Sequence, residues 1–408
     1  MPEISAVSRP FKEAVDYFRN KVNLPTKTYR DIQHGAHTKA FVVAGATKED
    51  LLADFRSAID KAISLGTSLQ EFRKDFDNIV KQHGWSYKGS RGWRSKTIYA
   101  TNIQTAYAAG RYKQMTDPDV LKRRPYWQYL VGDSKKHRKE HLKWNGLILP
   151  ANDPFWETHY PPNGWGCKCR VRSLSENDLK RMGRKPDKAP QDSSDVHPDW
   201  RYNIGEAAYG NPFIQHELNE NGETKYVWKE VIPEEQEGKK SNYERGTEPL
   251  SGKTTKTKQA EKTETLEECR KMIEKTMGGE KRKEYQRTDP TGAIVSVVPE
   301  SLAKHVLASH HTRDIPFIPE TIENPSEIWV TFEKEKNGKY RIRKRYIARF
   351  DLKKNEEENK EGKMKERKEK QSGGILVAEG EKGIIKTITS YFAGSITSAR
   401  HGICIYKK

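Results

Sequence analysis

The chain has 408 residues, 34 % of them apolar and 32 % charged, and its 75 Lys and Arg outnumber 57 Asp and Glu for a formal net charge of +18. Four cysteines in that length exclude a disulfide scaffold, and no apolar run reaches the length of a membrane span. With no apolar signal core in Met1–Arg9, the expectation is a soluble protein made in the cytoplasm, with no membrane partner. The length predicts two or three domains. The positive excess favours polyanions, or is simply a lysine-rich surface.

Residues 48–64 place Leu51, Leu52, Phe55, Ile59 and Ile63 on one helical face, and Gly66 stops the helix. A second helix is predicted over 68–82, with Ser68 and Glu71 at capping-box spacing. A third, longer helix is predicted over 93–115, where Ala100, Ala106, Ala108, Ala109 and Gly110 permit close backbone approach. Residues 126–131 read as a strand. From 133 to 170 the chain is rich in Pro, Gly, Trp and His and predicts little regular structure, so something else must fix it. A short capped helix over 175–182 and a strand within 224–233 close this part.

Residues 235–264 hold almost no large apolar side chains and read as a flexible linker. Beyond it a helix is predicted over 265–277, a strand over 292–298 and a helix over 299–309. Asn337-Gly338 marks a hairpin between two long strands. Residues 353–372 mix both charge signs and read as a solvated insertion loop. Strands at 374–380, 383–392 and 403–406 follow. The fold class expected is α+β and multidomain: a mainly helical N-terminal domain over 1–234 with a loop-rich His/Cys region, the linker over 235–264, and a small C-terminal domain over 265–408 with an antiparallel sheet of four or five strands.

Asp133, His137 and His141 recur at four-residue spacing, which puts them on one face if the segment is helical. Cys167 and Cys169 follow 26 residues later, and two His plus two Cys is a set that zinc accepts tetrahedrally. A loop-rich region gains most from such a staple. The alternative gives the His pair to polar surface and the Cys pair to packing or to a reactive thiol pair. The Asp-x₃-His-x₃-His run, the DPFW box, the tandem proline before a Gly-rich turn and the Cys-x-Cys, with upstream AFVVAGATKEDLLADF and TAYAAGRY, resemble the phage Mu F-like head-morphogenesis family over roughly residues 9–215. That resemblance implies a minor capsid protein inside the head or at the portal vertex. Its partners would be portal and procapsid proteins and packaged DNA, with a structural zinc on His137, His141, Cys167 and Cys169 as a hypothesis within it.

In the C-terminal part, His305 lies on a predicted helix and His310 and His311 follow. Cations crowd the hairpin at Arg341, Arg343, Lys344, Arg345 and Arg349. Period-two alternation puts Thr387, Thr389 and Tyr391 on one strand face. Metal-free RNA cleavage needs a base for the ribose 2′-OH, an acid for the leaving 5′ oxygen, and cations or hydroxyls for the phosphorane. Histidine suits both proton roles. By itself, though, a helix histidine is more often a surface residue, and Thr and Tyr are ordinary strand formers. The order of the helix His, the NPSEIW box, the Thr-bearing strand and Arg-x-Gly resembles the phage-associated nucleases of the barnase, EndoU, colicin E5/D and RelE group over roughly 285–408. The resemblance implies a ribonuclease without a cofactor. His305 would act as base or acid, and Arg313, Thr389, Tyr391 and Arg400 would stand at the phosphate. Arg343 and Arg345 would bind nucleic acid, and an immunity protein would be a further partner. A head domain carrying a toxin-like effector, or a structural head protein whose C-terminal domain binds without cleaving, are the two readings.

Overall fold

A computed structural model describes residues 11–134, 137–190, 196–215, 217–222, 224–233, 243–250, 257–349, 373–381, 384–393 and 396–408. The chain divides into two compact units, Met1–Lys229 with Lys334–Tyr340, and Glu230–Glu333 with Arg341–Lys408. Among the described residues, no helix is long and apolar enough to cross a membrane.

In the first unit the expected helices form as Glu49–Leu65, Leu69–His83 and Arg91–Met115. Gly66 ends the first of them in the left-handed region at φ +72. The Ser68/Glu71 capping box is complete. Helix Lys12–Arg19, which periodicity did not flag, packs along Arg91–Met115. Gly110 makes that approach possible, because a Cβ there would lie 2.7 Å from the Ala14 nitrogen. The core is aromatic: Phe18, Phe41, Phe55, Phe72 and Phe76 are fully buried. At 25 cal/mol per Å² of apolar surface removed from water, each such ring contributes roughly 2–3 kcal/mol.

The remainder of this unit hangs on a three-stranded antiparallel sheet. Tyr126–Leu130 (β1) is central, flanked by Ile148–Pro150 (β2) and Arg170–Leu174 (β3). The stretch between β1 and β3, expected to be irregular, contains two one-turn helices at Lys139–Lys143 and Phe155–His159. Ring packing fixes it. Trp127, Trp144, Phe155, Trp156 and Tyr160 interlock edge to face at centroid distances of 5.2–6.1 Å.

The second unit is built on one sheet whose strands are Glu244–Arg245 (β4), Tyr285–Thr288 (β5), Ile294–Val297 (β6), Glu327–Glu335 (β7), Tyr340–Arg349 (β8), Gly373–Glu381 (β9), Ile384–Ala393 (β10) and His401–Lys407 (β11). They run in the order β5-β6-β10-β9-β8-β7-β11-β4. Helices Pro299–Ala308 and Ile318–Glu323 pack on β10 and β9, and Leu266–Met277, opened by a Thr265/Glu268 capping box, packs on the first of them. The sheet is larger than expected and not purely antiparallel, since β6 and β10 pair in parallel through Val295↔Ile385 and Ser296↔Lys386. A parallel neighbour needs a crossover, and the long path from β6 through two helices and three strands supplies one.

Part of the stretch expected as a linker over 235–264 is also built into this unit. Glu244 and Arg245 extend the sheet edge opposite Gly402 and His401, and Leu250 is buried against Trp329 and Ile347. Gln259 Nε2 donates to Asp314 at 2.9 Å, and the Ala260 amide donates to Arg313 O at 3.0 Å. One leucine and a few backbone hydrogen bonds are enough to order a polar segment, and average composition cannot register them. The insertion loop expected at 353–372 lies outside the described residues.

Candidate functional site

Among the described residues, two places carry the side chains expected to do chemistry. The first is in the loop between β1 and β3. His141 Nδ1 lies 3.5 Å from Cys169 Sγ and 3.7 Å from Cys167 Sγ, and the three donor atoms lie within 4.8 Å of one another. His141 is buried and stacked on Trp144 at 5.3 Å, which sets the ring plane. The Cys167 thiol is pushed up, first by its hydrogen bond to Cys169 and then by burial. The Cys169 thiol is pulled down to about 4, first by Cys167 and then, against burial, by His141 and Tyr129.

Zn–N of about 2.0–2.1 Å and Zn–S of about 2.3 Å imply a tetrahedral N···S edge of about 3.6 Å, and the two separations found bracket it. The donor set therefore suits a thiophilic metal. His137 does not join it. The helix begins only at Lys139, after an extended Arg138, so His137 and His141 share no helical face. His137 is exposed instead, beside a shallow recess that includes Asp133 and Asn145.

The second place is one face of the C-terminal sheet. The pairing of β9 with β10 shifts register: Val377 faces Thr389, but Ala378 faces Thr387. Ile388 is thus the extra residue of a β-bulge. The bulge turns Thr387 to the opposite face from Thr389 and Tyr391, so the expected row of three hydroxyls is a row of two. Thr387 is buried, while Thr389 and Tyr391 stay partly exposed.

Arg345 reaches this face from β8. Its Nη1 donates to Thr331 Oγ1 at 2.8 Å, and its charge acts on two tyrosines. Burial pushes up the Tyr391 hydroxyl and Arg345 opposes it. The Tyr243 hydroxyl is pushed up by burial and by its hydrogen bond to Glu230, again with Arg345 opposing. Each tyrosine has a histidine beside it. The His311 ring lies 5.2 Å from that of Tyr391, with Nδ1 3.5 Å from Asp314. The His401 ring lies 6.2 Å from that of Tyr243. His401 Nδ1 is 2.8 Å from Ser398 O and its Nε2 is 3.1 Å from Glu230 Oε2. Both neighbours are acceptors, so the two bonds exist together only when the ring carries two protons.

The expected site residues divide accordingly. Thr389, Tyr391 and Arg345 share the face. His305 is exposed on its helix and, among the described residues, makes no side-chain hydrogen bond or ion pair. Beyond that helix, left-handed His310 (φ +60) turns the chain so that His311, not His305, meets Tyr391. Arg313 is exposed, with Nε directed at Ala260 O. Arg343 pairs with Glu333 and Glu379. Arg400 is buried and held by both oxygens of Glu327 at 2.7 Å, with Trp329 donating to the same carboxylate. It is a core residue with its charge already matched. Sequence reasoning missed His401, Glu230 and Tyr243. The Arg-His-Gly run at the start of β11 was a visible signal for His401, but nothing local links it to residues more than 150 positions earlier.

The chain thus carries a helical, aromatic-cored unit bearing a His/Cys cluster and an α+β unit with a tyrosine- and cation-lined sheet face. Residues 53–172 match the family described as Phage Mu protein F like protein. Residues 271–407 match the phage-Barnase-EndoU-ColicinE5/D-RelE like nuclease2 family. Each match covers about a third of the chain. It is 35 % identical over 251 residues, 50 % of this chain and 56 % of the relative, to a protein F of Escherichia phage Mu named for capsid assembly. It is 33 % identical over 229 residues, 46 % of this chain and 55 % of the relative, to the Mu-like prophage FluMu F protein of Haemophilus influenzae. The chain thus spans little more than half the length of these relatives. No solved structure matches it.

Proposed function

We propose that this chain is a minor head protein of a phage or prophage that carries, as its C-terminal unit, a metal-independent endoribonuclease of toxin type. The observation that supports the enzyme most is Arg345 on the same sheet face as Thr389 and Tyr391, with its charge acting on Tyr391 and Tyr243, each of which has a histidine beside it. In this reading His311, oriented by Asp314, takes the proton of the ribose 2′-OH. The 2′ oxygen attacks phosphorus to form a cyclic phosphate. The P–O5′ bond breaks, and His401, held between Glu230 Oε2 and Ser398 O, gives a proton to the 5′ oxygen. Arg345, Thr389 and Tyr391 stabilise the phosphorane charge.

The likeness of the N-terminal unit to proteins named for capsid assembly supports a location in the virion, in the capsid interior or at the portal vertex. Portal and procapsid proteins and packaged DNA are its partners there, and an immunity protein would protect the producing cell. His141, Cys167 and Cys169 would hold a structural zinc that ties the β1–β3 loop together, with a fourth ligand from outside this trio.

The test is cleavage of transfer RNA by the purified full chain in the presence of chelator, with cyclic-phosphate ends read on the products. Arg345→Ala and His401→Ala should each lower the rate by about 10²-fold or more, and His305→Ala by much less. An inert wild-type chain, or equal rates in all variants, would remove the enzyme. The structural head protein would then be the reading that stands.

A further inference from the structure

Within the first unit, a cavity of about 780 Å³ opens beside β3, a volume typical of ligand sites. One wall is the Arg91–Met115 helix, which presents Tyr107 and Arg111 one turn apart. The other wall is the Pro161-Pro162 corner and the strand that carries Arg170 and Arg172, with Lys168 just before it. Arg170 and Arg172, two apart on β3, share a strand face.

Four cations line this cavity, and no Asp or Glu does. Among the described residues, none of the four has a carboxylate partner. Arg111 faces the Gln114 amide oxygen at 3.4 Å, Lys168 the backbone oxygen of Asp133 at 3.0 Å, and Arg172 the Gln128 amide oxygen at 2.7 Å. The contrast with Arg19, Arg91 and Arg184 of the same unit, each paired with an aspartate, is sharp. Like charges gathered in a concave, partly apolar site raise the local positive potential and attract an anion. The wall is also aromatic: Tyr107 is 48 % exposed, and its ring meets that of Phe11 at 5.4 Å.

We propose that this cavity binds single-stranded nucleic acid, with backbone phosphates on Arg111, Lys168, Arg170 and Arg172 and a base stacked on Tyr107. Cations lining a groove beside an exposed ring are what a single strand requires. A duplex keeps its bases inside the stack and has no use for the ring. The site is independent of the sheet face in the second unit.

The test is fluorescence anisotropy of the full chain with a labelled oligothymidine, which lacks the 2′-OH and so cannot be cut by the proposed ribonuclease. A 2′-O-methyl oligouridine serves as the RNA arm. Arg111→Gln/Arg170→Gln/Arg172→Gln should weaken binding tenfold or more and lower the slope of log affinity against log salt by about 2, at roughly 0.7 per phosphate contact. Tyr107→Ala should weaken it about fivefold or more. Lys74→Gln/Lys96→Gln/Lys122→Gln, which removes the same charge from exposed positions of this unit, should leave affinity within twofold. Near-UV circular dichroism identical to wild type establishes that the variants are folded. Equal weakening by the two triple variants, no weakening by the first, or competition by duplex as strong as by single strand would each overturn the proposal.

Discussion

The two units solve the same problem, fixing polar groups inside a small fold, in opposite ways. The first unit fixes its irregular stretch with packed rings and gathers three donor side chains, His141, Cys167 and Cys169, within it. It also tolerates a carboxylate whose surroundings disfavour its charge: Glu206 is pushed up to about 7 by burial and by Glu157. Among its described residues, the second unit buries two closely matched pairs. Arg400 and Glu327 are 3 % and 1 % exposed, and Lys344 and Asp289 are 3 % and 0 % exposed. A cation in the first unit's cavity therefore stands ready for a ligand, whereas one in the second unit's core is already satisfied. Residue type does not separate these cases; the neighbour does.

The largest effect should come from breaking one of the matched pairs. Arg400→Ala leaves Glu327 charged in the core and should cost about 3–5 kcal/mol in urea unfolding of the second unit. The double variant Arg400→Met/Glu327→Leu should recover most of it. If Arg400 were instead a phosphate ligand, the single variant would lose RNA cleavage while stability stayed within about 0.5 kcal/mol of wild type. That result would erase the contrast between the units.

The soft-donor cluster offers the next test. The purified chain should carry one zinc per molecule, lost in Cys167→Ser and in Cys169→Ser and retained in His137→Ala. Loss should lower the melting temperature of the first unit by roughly 5 °C or more, at 2–4 °C per kcal/mol for a unit of this size. Metal-free wild-type protein with an unchanged melt would leave aromatic packing as the sole tie on that loop.

Acid should pull the two units apart. Glu206 has a folded pKa raised to about 7 against about 4.3 unfolded. Its ionisation penalises the folded state as pH rises through that window, so the first unit should gain stability between about pH 7 and 4.5. Asp289 goes the other way. Burial alone would push it up, but Lys344, Thr291 and Tyr346 hold it below the ordinary value. Its contribution is therefore complete above about pH 4 and is lost as pH falls through its lower folded pKa. Melts of the full chain from pH 8 to 3 should show the two transitions shifting in opposite senses. Glu206→Gln should flatten the first slope, and Asp289→Asn the second. Parallel shifts in wild type would refute the assignment.

How much of this was legible in the sequence follows the same division. The long helices of the first unit were, because apolar periodicity and caps such as Ser68/Glu71 are local signals. So was the Asn337-Gly338 hairpin. His141 with the two cysteines was visible through rare residue types, but His137 was drawn in by a helical spacing that the chain does not adopt. In the second unit, Arg400 reads in sequence as a free cation, because its partner Glu327 is 73 residues away. The faces of β10 were misread for one reason: a single inserted residue at Ile388 reverses every side chain before it, and alternation carries no record of that.

That bulge makes the smallest and most specific prediction. Thr387, turned inward, is buried with an Oγ1 that has no hydrogen-bond partner among the described residues. An unpaired buried hydroxyl costs about 1 kcal/mol or more, and a methyl of the same shape does not. Thr387→Val should therefore leave the second unit as stable or up to about 1 kcal/mol more stable, with RNA cleavage unchanged. Thr389→Val, two residues on but on the open face, should do the reverse: little change in urea midpoint, and a loss of cleavage of about tenfold or more. Had the strand kept strict alternation, both threonines would face the same way and the two variants would behave alike. Matched activity losses in both would therefore place Thr387 back on the open face and remove the bulge.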